Sequence, residues 1–304
     1  YELGLGEPFP ISAVHGANVG DLLDRLVEDF HETETEPDDT VKISIVGKPN
    51  AGKSSLLNKL TGEERAIVSP IAGTTRDAVD TQFEYDGVPL TLIDTAGIRK
   101  RGKIDSGVER YSVVRAHKAI ERADVALLLI DAENGITAQD LHIAGYILDA
   151  WKSTVVVVNK WDAIEKDSYT MNYYTEKILQ ELNFMPYVPT VFISAKTGQR
   201  VDKVLPLALK VQEARLTRIP TSKLNGILRD AQDAHPPPLH AGKRLKIYYA
   251  TQVRTDPPTF LVYVNNTNLM HFTYRRFLEN RIRDAYEFLG TPIRIVLKGK
   301  KEKK

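Results

Sequence analysis

The 304-residue sequence contains no cysteine. That absence excludes disulfide scaffolds, thiolate zinc sites and cysteine nucleophiles, and it suits a reducing, cytoplasmic compartment. Long apolar runs are also missing: Val155 to Val158 with its flanks is strand-sized, far short of the roughly 18 residues a membrane-spanning helix needs. Charge of one sign is not in excess either. With 41 Lys and Arg against 40 Asp and Glu the net charge is +1, so no whole-protein field steers an anion and any affinity for nucleic acid needs a local patch. What is present is ordinary for a water-soluble globular chain: 42% hydrophobic, 27% charged, mean hydropathy −0.28. The length suggests two folded units. The chain opens at Tyr1 without Met or a signal-peptide pattern, and reads as a fragment.

One pattern occurs twice. Ile11-Ser12-Ala13-x-x-Gly16-x-x-Val19 is followed by Asp21-Leu22-Leu23, and Ile193-Ser194-Ala195-x-x-Gly198 by Val201 and Leu205. Residues 1–39 are therefore expected to be the last strand, turn and helix of an upstream domain plus the acidic, proline-punctuated linker from Glu28 to Asp39. From Val41 apolar strands alternate with helices, which predicts an α/β domain over 40–218 with a mostly parallel sheet covered on both faces. Helices are expected at 53 onward, 109–122, 138–150, 172–183 and 201–216, and strands at 41–46, 79–85, 88–94, 124–130, 154–158 and 189–193. After Pro220 the pattern becomes helix 221–233, strands 243–253 and 259–265, helix 273–289 and strand 292–298, a small α+β domain over 219–304 ending in a lysine-rich tail.

Gly47-Lys48-Pro49-Asn50-Ala51-Gly52-Lys53-Ser54 matches G-x-x-x-x-G-K-S between an apolar strand and a helix. The glycines let successive N–H groups turn toward phosphate oxygens, and Lys53 adds charge. Ser54 offers a hydroxyl to Mg²⁺, with Ser55 beside it, and the helix N-terminus favours an anion. Leu90-Thr91-Leu92-Ile93-Asp94 supplies a strand-terminal carboxylate as metal partner, and the Gly97 N–H after Thr95-Ala96 is placed to reach a γ-phosphate.

Asn159-Lys160-Trp161-Asp162 and Ser194-Ala195-Lys196, each after an apolar run, complete a set that resembles the guanine-nucleotide motifs of translation-factor-type GTPases. The resemblance implies that Asp162 accepts from guanine N1 and the 2-amino group, that Asn159 buttresses the loop, and that the Ala195 N–H meets O6. Gly73-Thr74-Thr75-Arg76-Asp77 is similar to the first switch of the bacterial subgroup with Era, MnmE and the Der (EngA) family; Thr75, or its neighbour Thr74, is then a Mg²⁺ ligand. The whole chain best resembles the Der (EngA) family of ribosome-assembly GTPases, with a remnant of a first GTPase domain, a second GTPase domain and a KH-like domain. MnmE-type proteins end in a cysteine motif, absent here. Era carries a KH domain with a Gly-x-x-Gly loop, whereas glycine after Pro220 occurs only at Gly226, Gly242, Gly290 and Gly299, which puts the usual KH grip on single strands in doubt.

Ile98 stands where Ras-like proteins place a water-orienting glutamine. Hydrolysis is then slow alone, or another group completes the site; the resemblance implies that Asn50 helps hold K⁺ beside the phosphates. A turn-forming role is the plainer reading of Asn50. Lys53, Thr75, Gly97 and Asn50 are the candidate catalytic residues, and Arg99-Lys100-Arg101-Gly102-Lys103 the candidate second switch. In the small domain, Leu245, Ile247 and Tyr249 are expected on one strand face and Arg244, Lys246 and Tyr248 on the other. Tyr274, Phe277, Leu278, Ile282, Ala285 and Leu289 form a helix stripe that leaves Arg275, Arg276 and Arg283 free for RNA phosphates. The seven histidines show no ligand-like arrangement. The reading is a GTP-hydrolysing switch in large-subunit assembly with ribosomal RNA contact and no membrane; a nucleotide-gated protein-interaction module and a tRNA-modification GTPase are the alternatives.

Overall fold

The computed structural model describes residues 9–12, 18, 22, 25, 40–62, 66–68, 80–95, 98, 109–240 and 242–299. The linker, the first-switch motif, Gly97, the basic run 99–103 and the terminal lysines 300–304 lie outside them, as does most of the 1–39 segment.

Seven strands form the main sheet: β1 (Val41–Val46), β2 (Ala66–Val68), β3 (Thr81–Tyr85), β4 (Val88–Ile93), β5 (Val125–Asp131), β6 (Ser153–Asn159) and β7 (Thr190–Phe192). Their order is β2-β3-β4-β1-β5-β6-β7. All pairs from β4 to β7 are parallel, whereas β2 and β3 join antiparallel at one edge. Every residue of β5 and β6 is buried, which explains the apolar runs Val125–Ile130 and Val155–Val158 at their centres: a parallel strand covered on both faces has no solvent side to make polar. Alternate side chains feed two cores. Val125, Leu127 and Leu129 pack with Leu56, Leu57, Leu60, Leu205 and Ala208. Ala126, Leu128 and Ile130 pack with Ile120, Ile147 and Ile178. At roughly 1.5–3 kcal/mol per buried aliphatic side chain, these layers dominate the fold's stability.

The chain leaves β1 for β4 on one side and returns to β5 on the other. The C-terminal end of β1 is thus the crevice where open α/β sheets bind ligands.

The second sheet has the order β10 (Ile247–Thr255), β11 (Pro258–Val264), β12 (Arg294–Gly299), with β10–β11 antiparallel and β11–β12 parallel. Helices Thr221–Ala234 and Phe272–Ala285 pack on its inner face against Ala250, Phe260, Val262 and Ile295. A two-stranded ribbon, β8 (Leu239–His240) with β9 (Lys243–Arg244), precedes β10, so the expected strand from 243 is interrupted.

Three expectations are corrected here. A register shift between Ile247 and Tyr249 ends the alternation, and Tyr248 and Tyr249 are both exposed. The helix stops at Ala285, leaving Ala285 exposed; Leu289 is apolar because it packs on the core of the seven-stranded sheet. Arg283 is not on a free face: it donates to the carbonyls of Phe288 and Thr291 and lies 3.9 Å from the Tyr187 ring centroid, pairing with Glu279.

Candidate functional site

The loop after β1 is shaped by close backbone approach. Gly47 has φ +149, and a Cβ there would lie 2.4 Å from the Leu129 carbonyl oxygen. Gly52 has φ +100, and a Cβ would lie 2.1 Å from Asn159 Nδ2. Asn50 between them has φ +62, a conformation Asn tolerates better than most residues. Helix Lys53–Thr61 follows, so its first N–H groups open on the loop.

A cavity of about 320 Å³ sits above this loop, lined by Gly47, Asn50, Lys53, Ser54, Asp94 and Ile98, with Arg115 of helix Glu109–Arg122 opposite. Lys53 Nζ donates to the Gly47 and Lys48 carbonyls at 2.8 and 2.6 Å. The Ser54 hydroxyl donates to the Ile98 carbonyl at 2.7 Å. Asp94 takes φ +56, and its N–H donates to Asp80 Oδ1 at 2.9 Å, while Asp80 is ion-paired with Arg122. Ile98 is buried against the core, so its side chain presents only hydrocarbon to the cavity.

The base-reading motifs do not line that cavity; Asn159 ties them to it. Buried at the end of β6, Asn159 donates from Nδ2 to the Ala51 carbonyl at 2.8 Å, and its Oδ1 accepts from the Ala195 N–H at 2.9 Å. One side chain thus joins the phosphate loop to the Ser194-Ala195-Lys196 loop. The Ala195 N–H, which the resemblance directs to guanine O6, is engaged by Asn159. Trp161 anchors the adjoining turn: its N–H donates to the Ile193 carbonyl, and its ring packs on Phe192 and Tyr174. Asp162 is carried outward on that turn and is exposed. The Ser194 hydroxyl, then the charges of Lys196 and Lys166, hold its carboxyl below the usual aspartate range.

Lys160, at φ +64, bonds Asp131 Oδ2 at 2.7 Å and Glu133 Oε2 at 3.3 Å. Asp131 is the residue the sequence reading missed. It closes β5 as Asp94 follows β4, an apolar run ending in a carboxylate, and that signal was there to be read. Burial raises its carboxyl, but Lys160, Asn134 and the Glu133 N–H outweigh burial and hold it below the ordinary value.

Glycine-rich loop, strand-end carboxylate and paired Asn-Lys-x-Asp and Ser-Ala-Lys loops, gathered at the switch point of a mostly parallel sheet, define a P-loop GTPase. Family comparison agrees: residues 42–160 match the model described as a 50S ribosome-binding GTPase, and residues 218–298 the C-terminal KH-domain-like model of EngA bacterial GTPases. GTPase Der of Listeria monocytogenes is 54% identical over 303 residues, 99% of this chain and 70% of the relative. GTPase Der of Desulfitobacterium hafniense is 55% identical over 307 residues, 100% and 69%. Era in complex with MgGDPNP and nucleotides 1506–1542 of 16S ribosomal RNA is 26% identical with a TM-score of 0.44, covering 85% of this chain and 92% of that one. The chain belongs to the Der (EngA) family: it binds guanine nucleotide and is a GTP-hydrolysing enzyme. No helix among the described residues is long and apolar enough to cross a membrane.

Proposed function

We propose that this chain is a nucleotide switch that assists assembly of the large ribosomal subunit in the cytoplasm through contact with ribosomal RNA, built as residues 1–39, a GTPase domain over 40–218 and a KH-like domain over 219–304. The triphosphate is held by Gly47, Asn50, Ala51, Gly52, Lys53, Ser54 and Ser55, with Asp94 and Gly97 at its γ end. The base is held by Asn159, Lys160, Asp162, Ser194, Ala195 and Lys196. The observation that supports this most is the Asn159 bridge, which fixes the spacing between phosphate and base loops before either is filled.

Lys53 bonds neutral carbonyls; a triphosphate offers it charged acceptors, which are worth roughly twice as much per bond. Ser54 and Asp94 are hard oxygen donors lining one cavity, a set that suits Mg²⁺, with Thr75 as third protein ligand. When bound, Mg²⁺ offsets charge on the β- and γ-phosphate oxygens. Asn50 lines the same cavity and is the residue that would hold K⁺. Ile98 cannot orient the attacking water, so another group or a bound cation completes the site, with Gly97 and the K⁺ held by Asn50 as the candidates. Exchanging K⁺ for Na⁺ should lower GTP turnover; equal rates in both salts would remove the K⁺ role. Co-sedimentation with large ribosomal subunits, stronger with a non-hydrolysable GTP analogue than with GDP, tests the ribosomal reading, and no co-sedimentation in either state contradicts it.

A further inference from the structure

The two helices cover one face of the β10-β11-β12 sheet, and the opposite face carries a different chemistry. Strand pairing sets Tyr249 beside Tyr263 and Tyr263 beside Lys298. The two rings lie 5.9 Å apart, inclined by 51°, and Lys298 Nζ stands 5.5 Å from the Tyr263 ring centroid. The next row across the face is Thr251, Leu261 and Val296, none of which belongs to the small core. The register shift in β10 turns Tyr248 outward as well, 60% exposed beside Tyr249 at 45%. No hydroxyl of these three tyrosines has a hydrogen-bond partner among the described residues. At the same end of the sheet Lys243, Arg244, Lys246 and Lys298 are exposed and form no ion pair among the described residues. The sequence then continues with four more lysines by Lys304.

We propose that this open face is a stacking platform for single-stranded RNA, Tyr249 and Tyr263 receiving bases and Lys298 with its basic neighbours receiving phosphates. Aromatic rings on a sheet bind any base through its π face, and lysines alongside track the backbone. Both features are needed to select the occupant. An acidic peptide would use the lysines and leave the tyrosines idle; an apolar partner would bury the lysines unpaired; an RNA duplex keeps its bases inside. The lack of a Gly-x-x-Gly loop removes the helix-side clamp that single strands otherwise use. The proposal rests on the ribosomal RNA reading above and adds the form of RNA and the face that holds it.

Fluorescence anisotropy of the full chain, at stated salt, would compare a labelled oligoadenylate with a blunt RNA duplex of equal length. The wild type should prefer the single strand. The double variant Tyr249→Ala with Tyr263→Ala should bind it about a hundredfold more weakly, about tenfold per lost stack. The corresponding Phe variant should bind as wild type, with GTP turnover and melting temperature unchanged in both. Lys298→Ala should reduce the salt slope by about one. An Ala variant that binds like wild type overturns the platform while leaving RNA contact in place. A wild type that prefers duplex, or binds no RNA yet co-sediments with large subunits through a protein, overturns it too. Loss of co-sedimentation itself would fell the ribosomal reading beneath it.

Discussion

Asn159 is the residue on which the nucleotide site turns, because both ends of one amide satisfy buried backbone groups from separate loops. Asn159→Ala leaves the Ala51 carbonyl and the Ala195 N–H unpaired, at roughly 1–3 kcal/mol each. Chemical denaturation should show a loss of about 3 kcal/mol, and a loss under about 1 kcal/mol would mean the bridge is dispensable. Gly52→Ala drives a methyl into that same amide; GTP affinity should fall by at least about a hundredfold while far-ultraviolet circular dichroism keeps the native shape. The depressed Asp162 carboxyl has a pH signature. A lowered pKa keeps the group ionised above its folded value, so the charge that pairs with guanine persists as pH falls through the ordinary aspartate range and is lost only below it. The ratio of GTP to ATP affinity, in which protonation of the shared triphosphate cancels, should therefore stay level from neutral pH to about 5; a ratio that falls starting near 6 would place the base discrimination on a group other than Asp162.

Strands buried on both faces and helices with one apolar stripe were legible in the sequence. The runs Val125–Ile130 and Val155–Val158 mark the two central strands, and helix Glu109–Arg122 shows by its period. The strand-end motifs follow, since residues just past parallel strands share one edge of the sheet. Residues whose partners come from outside their own small domain, or that sit at a bulge, do not show in the pattern. Leu289 looked like a further turn of helix because its apolar partner belongs to the neighbouring core. The β10 alternation failed at a bulge that leaves no mark in composition. Arg283 looked like a solvated charge, yet burial lowers its pKa and the ring and carbonyls around it take up its guanidinium. Arg283→Ala should accordingly weaken folding, with a melting temperature lowered by several degrees, rather than reduce RNA binding; unchanged melting with lost RNA affinity would reverse that assignment.

Across the molecule, the two sheets of residues 40–299 are joined by buried polar contacts that no local pattern foretells. Arg215, 1% exposed, donates to the Trp151 carbonyl at 2.9 Å and to Asp256 at 2.7 Å. The Gly290 carbonyl accepts from the Thr154 N–H at 2.7 Å, with Thr291 bonded to Ser153. A Cβ on Gly290 would come within 2.6 Å of the Thr154 carbonyl oxygen, so the approach depends on glycine. Arg215→Ala strips the Trp151 carbonyl and the Ser153 hydroxyl of a donor, at roughly 1–3 kcal/mol per buried group, while the half-exposed Asp256 is left to water; calorimetry of the variant should split one unfolding transition into two, and a single unshifted transition would show the lobes to be independent. All of this serves a cradle for guanine nucleotide. Titration calorimetry of GTP against ATP, with Mg²⁺, on wild type and Asp162→Ala, is the most direct measurement of it. The account predicts tight GTP binding, ATP weaker by on the order of a thousandfold or more, and loss of the distinction in the variant. Equal affinities for the two nucleotides in the wild type would contradict it.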